Sequence, residues 1–317
     1  MVFSRNIILL SAALSATTAL SLTALSPSGL SQAAPSGRTS TTNSAPQGGI
    51  DPAGPWSDGP RRATLALGLI SKDETGKSRF TSGAAAVLLK DVNNRVFIAT
   101  ALHVFDNPAE HWAPDSLQVR GWKDEKKTRY EDLGSLLQLR SGGRPLFTAS
   151  AKFDLAVIPA TQEILQRIAD DSHIATVYGP DWIAGANETY DGADVFILGF
   201  PALEGAQYQQ RAVMRSGIVA WTDSPNPVDH EFLVDARIVP GNSGGPVFSS
   251  ASGITRTAGI ESGKAVKLLG IVSQPKNAQP ELVLGSHLPR EAAIPAAAGI
   301  TTIEPAHALI ELMAQAH

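Results

Sequence analysis

The sequence contains no cysteine among its 317 residues. Disulfide bonds, thiolate nucleophiles and cysteine-based metal sites are therefore excluded, and packing alone must hold the fold together. Runs of basic residues are also missing, and a net charge of −4 gives no reason to expect nucleic acid as a partner. Phosphate-binding glycine loops and histidine pairs at metal-ligand spacing are not found either, so we expect neither a metal nor an organic cofactor.

The first part of the chain has almost no charge and does not resemble a folded domain. Arg5 alone precedes an Ala/Leu-rich run that small residues close at 31–34. This pattern is typical of a secretory signal peptide over residues 1–34. An uncleaved membrane anchor and a disordered tail are the alternatives, but the Ser and Thr residues in the run make a weak membrane-spanning helix. We predict export from a bacterial cell, to the periplasm or outside, without stable membrane insertion after cleavage.

Residues 35–60 are rich in Pro, Gly, Ser and Thr, and a flexible linker is predicted there. Beyond it, short apolar runs alternate with turn residues, which favours barrels or sandwiches of antiparallel sheet. Helical periodicity is limited to 161–171 and to the C-terminal segment 304–317. We predict strands in the apolar runs 63–70, 83–90, 95–100, 154–160, 193–200, 216–221, 231–239, 245–248 and 267–273.

The segment "RIVPGNSGGPVF", residues 237–248, has the pattern of a nucleophile loop. Gly241, Gly244 and Gly245 surround Ser243, and glycine allows a backbone to turn sharply or to approach another group closely. A plain turn needs fewer glycines. The pattern therefore indicates a serine hydroxyl presented to a carbonyl carbon, with backbone amides directed at the same point.

A base and an acid for that hydroxyl occur earlier in the chain. His103 follows the strand-like run "RVFIAT", and Asp154 stands at the front of the apolar run "DLAVIPA". Either residue alone is more often a structural histidine or a loop carboxylate. They become candidates for a base and an acid because they occur in the order His103, Asp154, Ser243, at separations of 51 and 89 residues.

With these flanking segments, the chain resembles the chymotrypsin-like (trypsin-like) serine proteases. "TALHV", "FDLAVI" and "GNSGGP" are similar to the segments that carry the histidine, aspartate and serine of that family. The resemblance implies an all-β fold of two six-stranded antiparallel β-barrels with a C-terminal helix. It implies a first barrel over 61–180, a second over 181–290 and a helical tail over 291–317.

The resemblance also implies roles for individual residues. Ser243 would attack the scissile carbonyl of a protein or peptide substrate, His103 would transfer the proton, and Asp154 would orient the imidazole. The amides of Gly241 and Ser243 would form the oxyanion hole. Six residues are expected to form the walls of the substrate pocket: Arg237, Ile238, Val239, Ile271, Val272 and Ser273. An inward Ile238 and Val239 would select aliphatic side chains, whereas an inward Arg237 would select acidic ones.

The chain departs from the vertebrate digestive members of the family. Val104 replaces the cysteine beside the histidine, and Asn242 replaces the aspartate that pairs with a newly cut N-terminus. We therefore predict no activation by cleavage of that kind. In these respects the chain resembles the bacterial HtrA-like proteases. About seventy residues follow Ser243, so we expect a protease domain without the PDZ domain that those proteins usually carry.

Two other functions fit part of the pattern. "GNSGG" also matches the nucleophile elbow of α/β-hydrolase esterases, but that fold requires a helix directly after the serine and a later acid and histidine. A protease-like fold kept as a catalytically inert binding module is the second alternative. Such a module would not react with reagents for activated serines.

Overall fold

The structure is a computed structural model that describes residues 58–122, 133–172, 178–185, 187–201, 211–223, 227–250, 252–254, 260–262, 265–277 and 297–316. The predicted signal peptide and residues 35–57 of the predicted linker lie outside these ranges. The linker prediction extends too far at its C-terminal end, since residues 58–60 already belong to helix α1, Asp58–Ala63.

The N-terminal half forms a curled antiparallel sheet of seven strands, in the order β5-β4-β1-β2-β3-β9-β8. Its centre is β2, whose apolar residues 84–89 are all buried between β1 and β3. A two-stranded hairpin, β6 and β7, lies beside it. The strands are β1 Thr64–Lys72, β2 Ser78–Lys90, β3 Val96–Thr100, β4 Ser116–Arg120, β5 Ser135–Gln138, β6 Arg140–Ser141, β7 Arg144–Pro145, β8 Thr148–Ala149 and β9 Ala156–Pro159.

The C-terminal half is a closed six-stranded barrel in the order β10-β11-β12-β17-β16-β13. Every neighbouring pair around it is antiparallel. A small hairpin, β14 and β15, accompanies it. The strands are β10 Asp194–Gly199, β11 Val213–Trp221, β12 Phe232–Asp235, β13 Pro246–Ser249, β14 Ser252–Ile254, β15 Ile260–Ser262, β16 Leu268–Asn277 and β17 Ala297–Pro305.

Short helices lie between the strands and after the last strand. α2, Leu102–Phe105, follows β3, and α3, Gln162–Ser172, follows the last strand of the first sheet where a helix is predicted. α4, His307–Gln315, ends the described chain, and two 3₁₀ turns occupy Pro108–Glu110 and Pro180–Trp182. In the described part of the chain, none of the helices has the length and apolar character needed to cross a membrane.

The predicted fold class is confirmed, with two differences in detail. The second barrel is closed and six-stranded, but the first sheet has seven strands, and the described residues show no pairing between its edge strands β5 and β8. The predicted tail 291–317 is not wholly helical. Residues 297–305 form β17, because their backbone fills the gap between β12 and β16 and so closes the barrel.

Candidate active site

His103 is held rigidly at the end of a buried strand. β3 ends at Thr100, whose hydroxyl donates to the Ala85 carbonyl at 2.8 Å, and the chain then turns into α2. Leu102 N donates to the Asp154 carbonyl at 3.2 Å, which joins the start of this helix to the segment before β9. These two bonds fix the backbone that carries His103.

The far end of the same helix is anchored by Arg140. Its guanidinium donates to the Asp106 carboxylate at 2.7 Å and to the Pro114 and Phe105 carbonyls at 2.6 and 3.3 Å. Planar guanidinium groups suit such multiple contacts because their donors point in fixed directions. These bonds keep α2 in one position relative to the sheet.

Asp154 accepts three hydrogen bonds with its carboxylate. His103 donates from its backbone N–H at 2.9 Å and from Nδ1 at 2.6 Å, and the Ser273 hydroxyl donates at 2.6 Å. Burial alone would raise the pKa of the Asp154 carboxyl, but the bonds from His103 and Ser273 outweigh burial and hold the pKa below its usual value. Asp154 is therefore an anion at neutral pH.

The charge of Asp154 determines which nitrogen of His103 carries the hydrogen. A carboxylate can only accept, so Nδ1 must donate, and the neutral ring then has its lone pair on Nε2. His103 and Ser243 both line one cleft of about 890 Å³. A fixed imidazole and a serine residue therefore line the same cleft, which is one condition for nucleophilic catalysis.

The loop of Ser243 is fastened to both halves of the molecule. The Ser243 carbonyl accepts from Ala85 N at 2.8 Å, and Gly244 N donates to the Val272 carbonyl at 2.8 Å. Gly241 and Gly244 have φ values of +95° and +77°, in the left-handed region that favours glycine. The glycines predicted to shape this loop therefore lie where side chains would not fit the backbone.

The two amides expected to bind an oxyanion are left available. Among the described residues, neither Gly241 N–H nor Ser243 N–H donates a backbone hydrogen bond, although Asn242 N donates to the Val239 carbonyl at 3.2 Å. Asn242 itself is buried, and its side-chain Nδ2 has no hydrogen-bond partner in the described part of the chain.

Two of the six residues predicted for the substrate pocket line the cleft. Ile238 and Val239 line the cleft beside Gly241. Ile271 and Val272 are both fully buried, Ile271 in the larger apolar core and Val272 inside the barrel, and they present no surface to a substrate. The other two residues also differ from expectation. Arg237 is exposed and is not among the described lining residues, and its carbonyl accepts from the Arg215 guanidinium at 2.7 Å. Ser273 points to Asp154 instead of the pocket because its hydroxyl is bonded there.

Sequence analysis missed most of the apolar cleft wall. It comes from the β1–β2 hairpin and from the segment after α2, which includes Trp112. Leu69 and Ile70 lie on this wall with 46% and 44% of their surfaces exposed. Glu110 is the single acid or base besides His103 among the described lining residues. Leu69 and Ile70 thus add exposed apolar surface to the cleft that Ser243 also lines.

Sequence analysis also missed Glu304. It lies in β17, opposite Ile271 of β16, with only 4% of its surface exposed. The Ser273 hydroxyl and the backbone N–H of Asp154 lie beside its carboxyl. Burial, with the nearby charges of Asp154 and Glu231, raises its pKa to about 7. A second acid thus stands directly behind the candidate triad.

Within the described residues, no group of three His, Asp or Glu side chains is arranged to hold a metal ion. The chain after Ser243 enters strand β13 and not a helix, and the named strands of the described residues all pair antiparallel, so the α/β-hydrolase alternative is wrong.

Comparison with known proteins gives the family. No curated protein sequence matches the chain. Two solved structures of the HtrA-type protease AlgW with tripeptide are similar to it, each at 16% identity and a TM-score of 0.44. The matches cover 81% of this chain, which spans only 60% of the length of those structures. A family model of the trypsin-like peptidase domain matches residues 84–254, more than half of the chain. The chain therefore belongs to the trypsin-like peptidase domain family.

Proposed function

We propose that the protein is an exported serine endopeptidase that hydrolyses peptide bonds through His103, Asp154 and Ser243. The observation that carries the proposal is the 2.6 Å contact between His103 Nδ1 and the Asp154 carboxylate, beside the cleft that His103 shares with Ser243. Membership of the trypsin-like peptidase family supports a serine protease. Export is proposed from the signal-like pattern of residues 1–34 alone.

The reaction proceeds in two balanced steps. His103 Nε2 removes the proton of Ser243 as Oγ bonds to the scissile carbonyl carbon, and the amides of Gly241 and Ser243 bind the oxyanion. The C–N bond then breaks, and the imidazolium gives its proton to the departing amine. Water, deprotonated by the same imidazole, cleaves the acyl-enzyme ester and restores the Ser243 hydroxyl. Asp154 stabilises the imidazolium throughout without taking up its proton.

Covalent labelling tests the proposal most directly. The protein without residues 1–34 should react with a fluorophosphonate probe, because the activated hydroxyl attacks phosphorus as it would attack a carbonyl. Intact-mass spectrometry should show one adduct, and Ser243→Ala should show none. Absence of an adduct on a parent protein that circular dichroism shows to be folded would contradict the proposal and favour the inert binding module.

The cleft wall supports apolar peptide segments as substrates. Ile238 and Val239 line the cleft and Arg237 is not among the described lining residues, which favours aliphatic over acidic side chains next to the scissile bond. Leu69 and Ile70 extend the apolar surface along the hairpin. Burying part of such a side chain contributes about 1 kcal/mol to binding.

Replacing Ile70 with lysine should therefore raise KM for an apolar peptide about five-fold, with little change in kcat, because binding to the wall is equal in the ground and transition states. Steady-state kinetics on a fluorogenic peptide measure this. Val92→Lys is the matched control, since Val92 is 78% exposed and is not a lining residue of the cleft. Equal KM values for the Ile70→Lys variant and the parent would remove the hairpin from the substrate site.

A further inference from the structure

A buried carboxyl group lies behind the candidate triad, and the proposed mechanism does not use it. Glu304 is 4% exposed, whereas an acid in the interior normally has a partner because an unpaired buried charge is costly. The Ser273 hydroxyl and the Asp154 N–H lie beside it, and both favour the ionised form. Burial outweighs these two donors, and no cation is among the neighbours that act on the carboxyl, so the neutral acid is the form that suits the site.

The charged groups around Glu304 favour the same form. Asp154, in the segment before β9, faces it with a carboxylate whose pKa is held low. Glu231, just before β12, adds a second negative charge. On its third side lies β16, which contributes Ser273, a neutral residue. Like charges at short range disfavour ionisation, so both neighbours add to the effect of burial.

A neutral Glu304 allows every polar group in this cluster to have a hydrogen-bond partner. One Glu304 oxygen is placed to accept from the Asp154 N–H, and the O–H of the neutral acid is placed to donate to Ser273 Oγ. The Ser273 hydroxyl is then free to donate to Asp154, where its oxygen lies 2.6 Å from the carboxylate. Asp154 also accepts from His103 Nδ1 at 2.6 Å. Each of these polar groups has a partner, and each hydrogen is used once.

The ionised acid breaks this pattern. Ser273 has a single hydroxyl hydrogen, which two carboxylates would then share. If the Ser273 hydroxyl turns to Glu304, Asp154 loses that donor. If it stays with Asp154, the Glu304 carboxylate is left unpaired nearby. In both cases the region around the imidazole becomes more negative. A more negative surrounding favours the protonated imidazole, which is not a base.

We propose that Glu304 is a positioning residue that, as a neutral acid, directs the Ser273 hydroxyl to Asp154, and whose ionisation strengthens the hold of Asp154 on the protonated form of His103. Peptide hydrolysis then begins at a higher pH than the three triad residues alone would set. The consequence for hydrolysis rests on the proposed function, whereas the hydrogen-bonded network does not.

The network is tested first by stability, which needs no activity. Ser243→Ala serves as the background because it prevents self-digestion. The folded-state pKa of Glu304 is raised from 4.5 to about 7, so its contribution is complete below pH 4.5 and is lost as the pH rises through 7. The folding equilibrium constant should therefore fall roughly 200-fold from pH 4 to pH 8 relative to Glu304→Gln in the same background.

Urea denaturation at several pH values measures this difference. Glutamine keeps an acceptor for the Asp154 N–H and a donor for Ser273, so it mimics the neutral acid without titrating. Glu231→Gln is the second variant, and it should move the Glu304 step to lower pH by removing one of the two repelling charges. Identical pH dependence of the parent, Glu304→Gln and Glu231→Gln would overturn the proposal.

The effect on His103 is tested by the pH dependence of fluorophosphonate labelling. The rising limb of the rate should lie at lower pH in Glu304→Gln than in the parent, by about half a pH unit or more. Ser273→Ala removes the connecting hydroxyl, so the Ser273 and Glu304 substitutions should be non-additive. If the labelling rates of the parent and Glu304→Gln rise at the same pH, the proposal is overturned. If neither the parent nor any variant is labelled but the pH-dependent loss of stability is present, the proposed endopeptidase function is refuted and the hydrogen-bonded network of Glu304 is not.

Discussion

Replacing Asp154 with asparagine should lower kcat/KM for a peptide substrate by about 10⁴-fold while leaving the protein folded. The carboxylate accepts from His103 N, from His103 Nδ1 and from Ser273 Oγ. An asparagine has one acceptor oxygen and an NH₂ group that can only donate. Where the NH₂ group faces Nδ1, that nitrogen must accept, and the ring hydrogen moves to Nε2. An imidazole with hydrogen on Nε2 does not accept the proton of Ser243.

Peptide hydrolysis, labelling rate and the thermal unfolding temperature of each variant measure this prediction. Asp181→Asn is the matched control, because Asp181 is exposed in the 3₁₀ turn Pro180–Trp182 and the same change of charge occurs away from the cleft. Its kcat/KM should equal that of the parent. If Asp154→Asn costs less than about ten-fold in kcat/KM, then Asp154 does not set the tautomer of His103.

The parts of the fold that sequence predicts well are those encoded by short segments. Each of the nine apolar runs overlaps an observed strand, since alternating or continuous apolar residues bounded by turns need only local information. His103 and Ser243 are predicted in the same way, from the residues on either side. That they act together with Asp154 stays a prediction, although the structure brings Asp154 and His103 into contact.

Ser273 shows why the pocket was harder to predict. Side chains alternate across a strand, and a shift of one residue exchanges the two faces. β16 has irregular pairing with β13 and with β17, including between Val272 and Pro275. Such bulges break the alternation that a sequence pattern relies on. Ser273 therefore faces Asp154, whereas sequence analysis placed it on the substrate wall.

Glu304 was missed for a related reason. Pro305 is compatible with the first turn of a helix, so the helix was extended back to 304. The segment instead pairs with β12 and β16, and α4 begins at His307. Strand pairing between distant segments depends on the closure of the whole barrel. A single glutamate between Ile303 and Pro305 also gives no sign that folding will bury it.

Gly244→Ala should destabilise the protein by about 3 kcal/mol or more and greatly reduce labelling of Ser243. Gly244 has φ +77°, where a β-carbon costs about 1–2 kcal/mol. That β-carbon would also overlap Thr100 Oγ1 and the Ala85 carbonyl. Ala85 N binds the Ser243 carbonyl at 2.8 Å, so any movement that relieves the overlap separates the nucleophile loop from the sheet that carries His103.

Gly76→Ala is the control that separates the cost of a positive φ from the cost of steric overlap at the β-carbon. Gly76 has φ +81°, close to that of Gly244, but a β-carbon there would meet nothing within 4 Å. It should therefore cost only about 1–2 kcal/mol of unfolding free energy and leave labelling unchanged. Urea denaturation and probe kinetics on both variants give the comparison. Equal costs at the two positions would show that the halves of the molecule are not packed tightly at Gly244, and that the position of Ser243 relative to His103 does not depend on this contact.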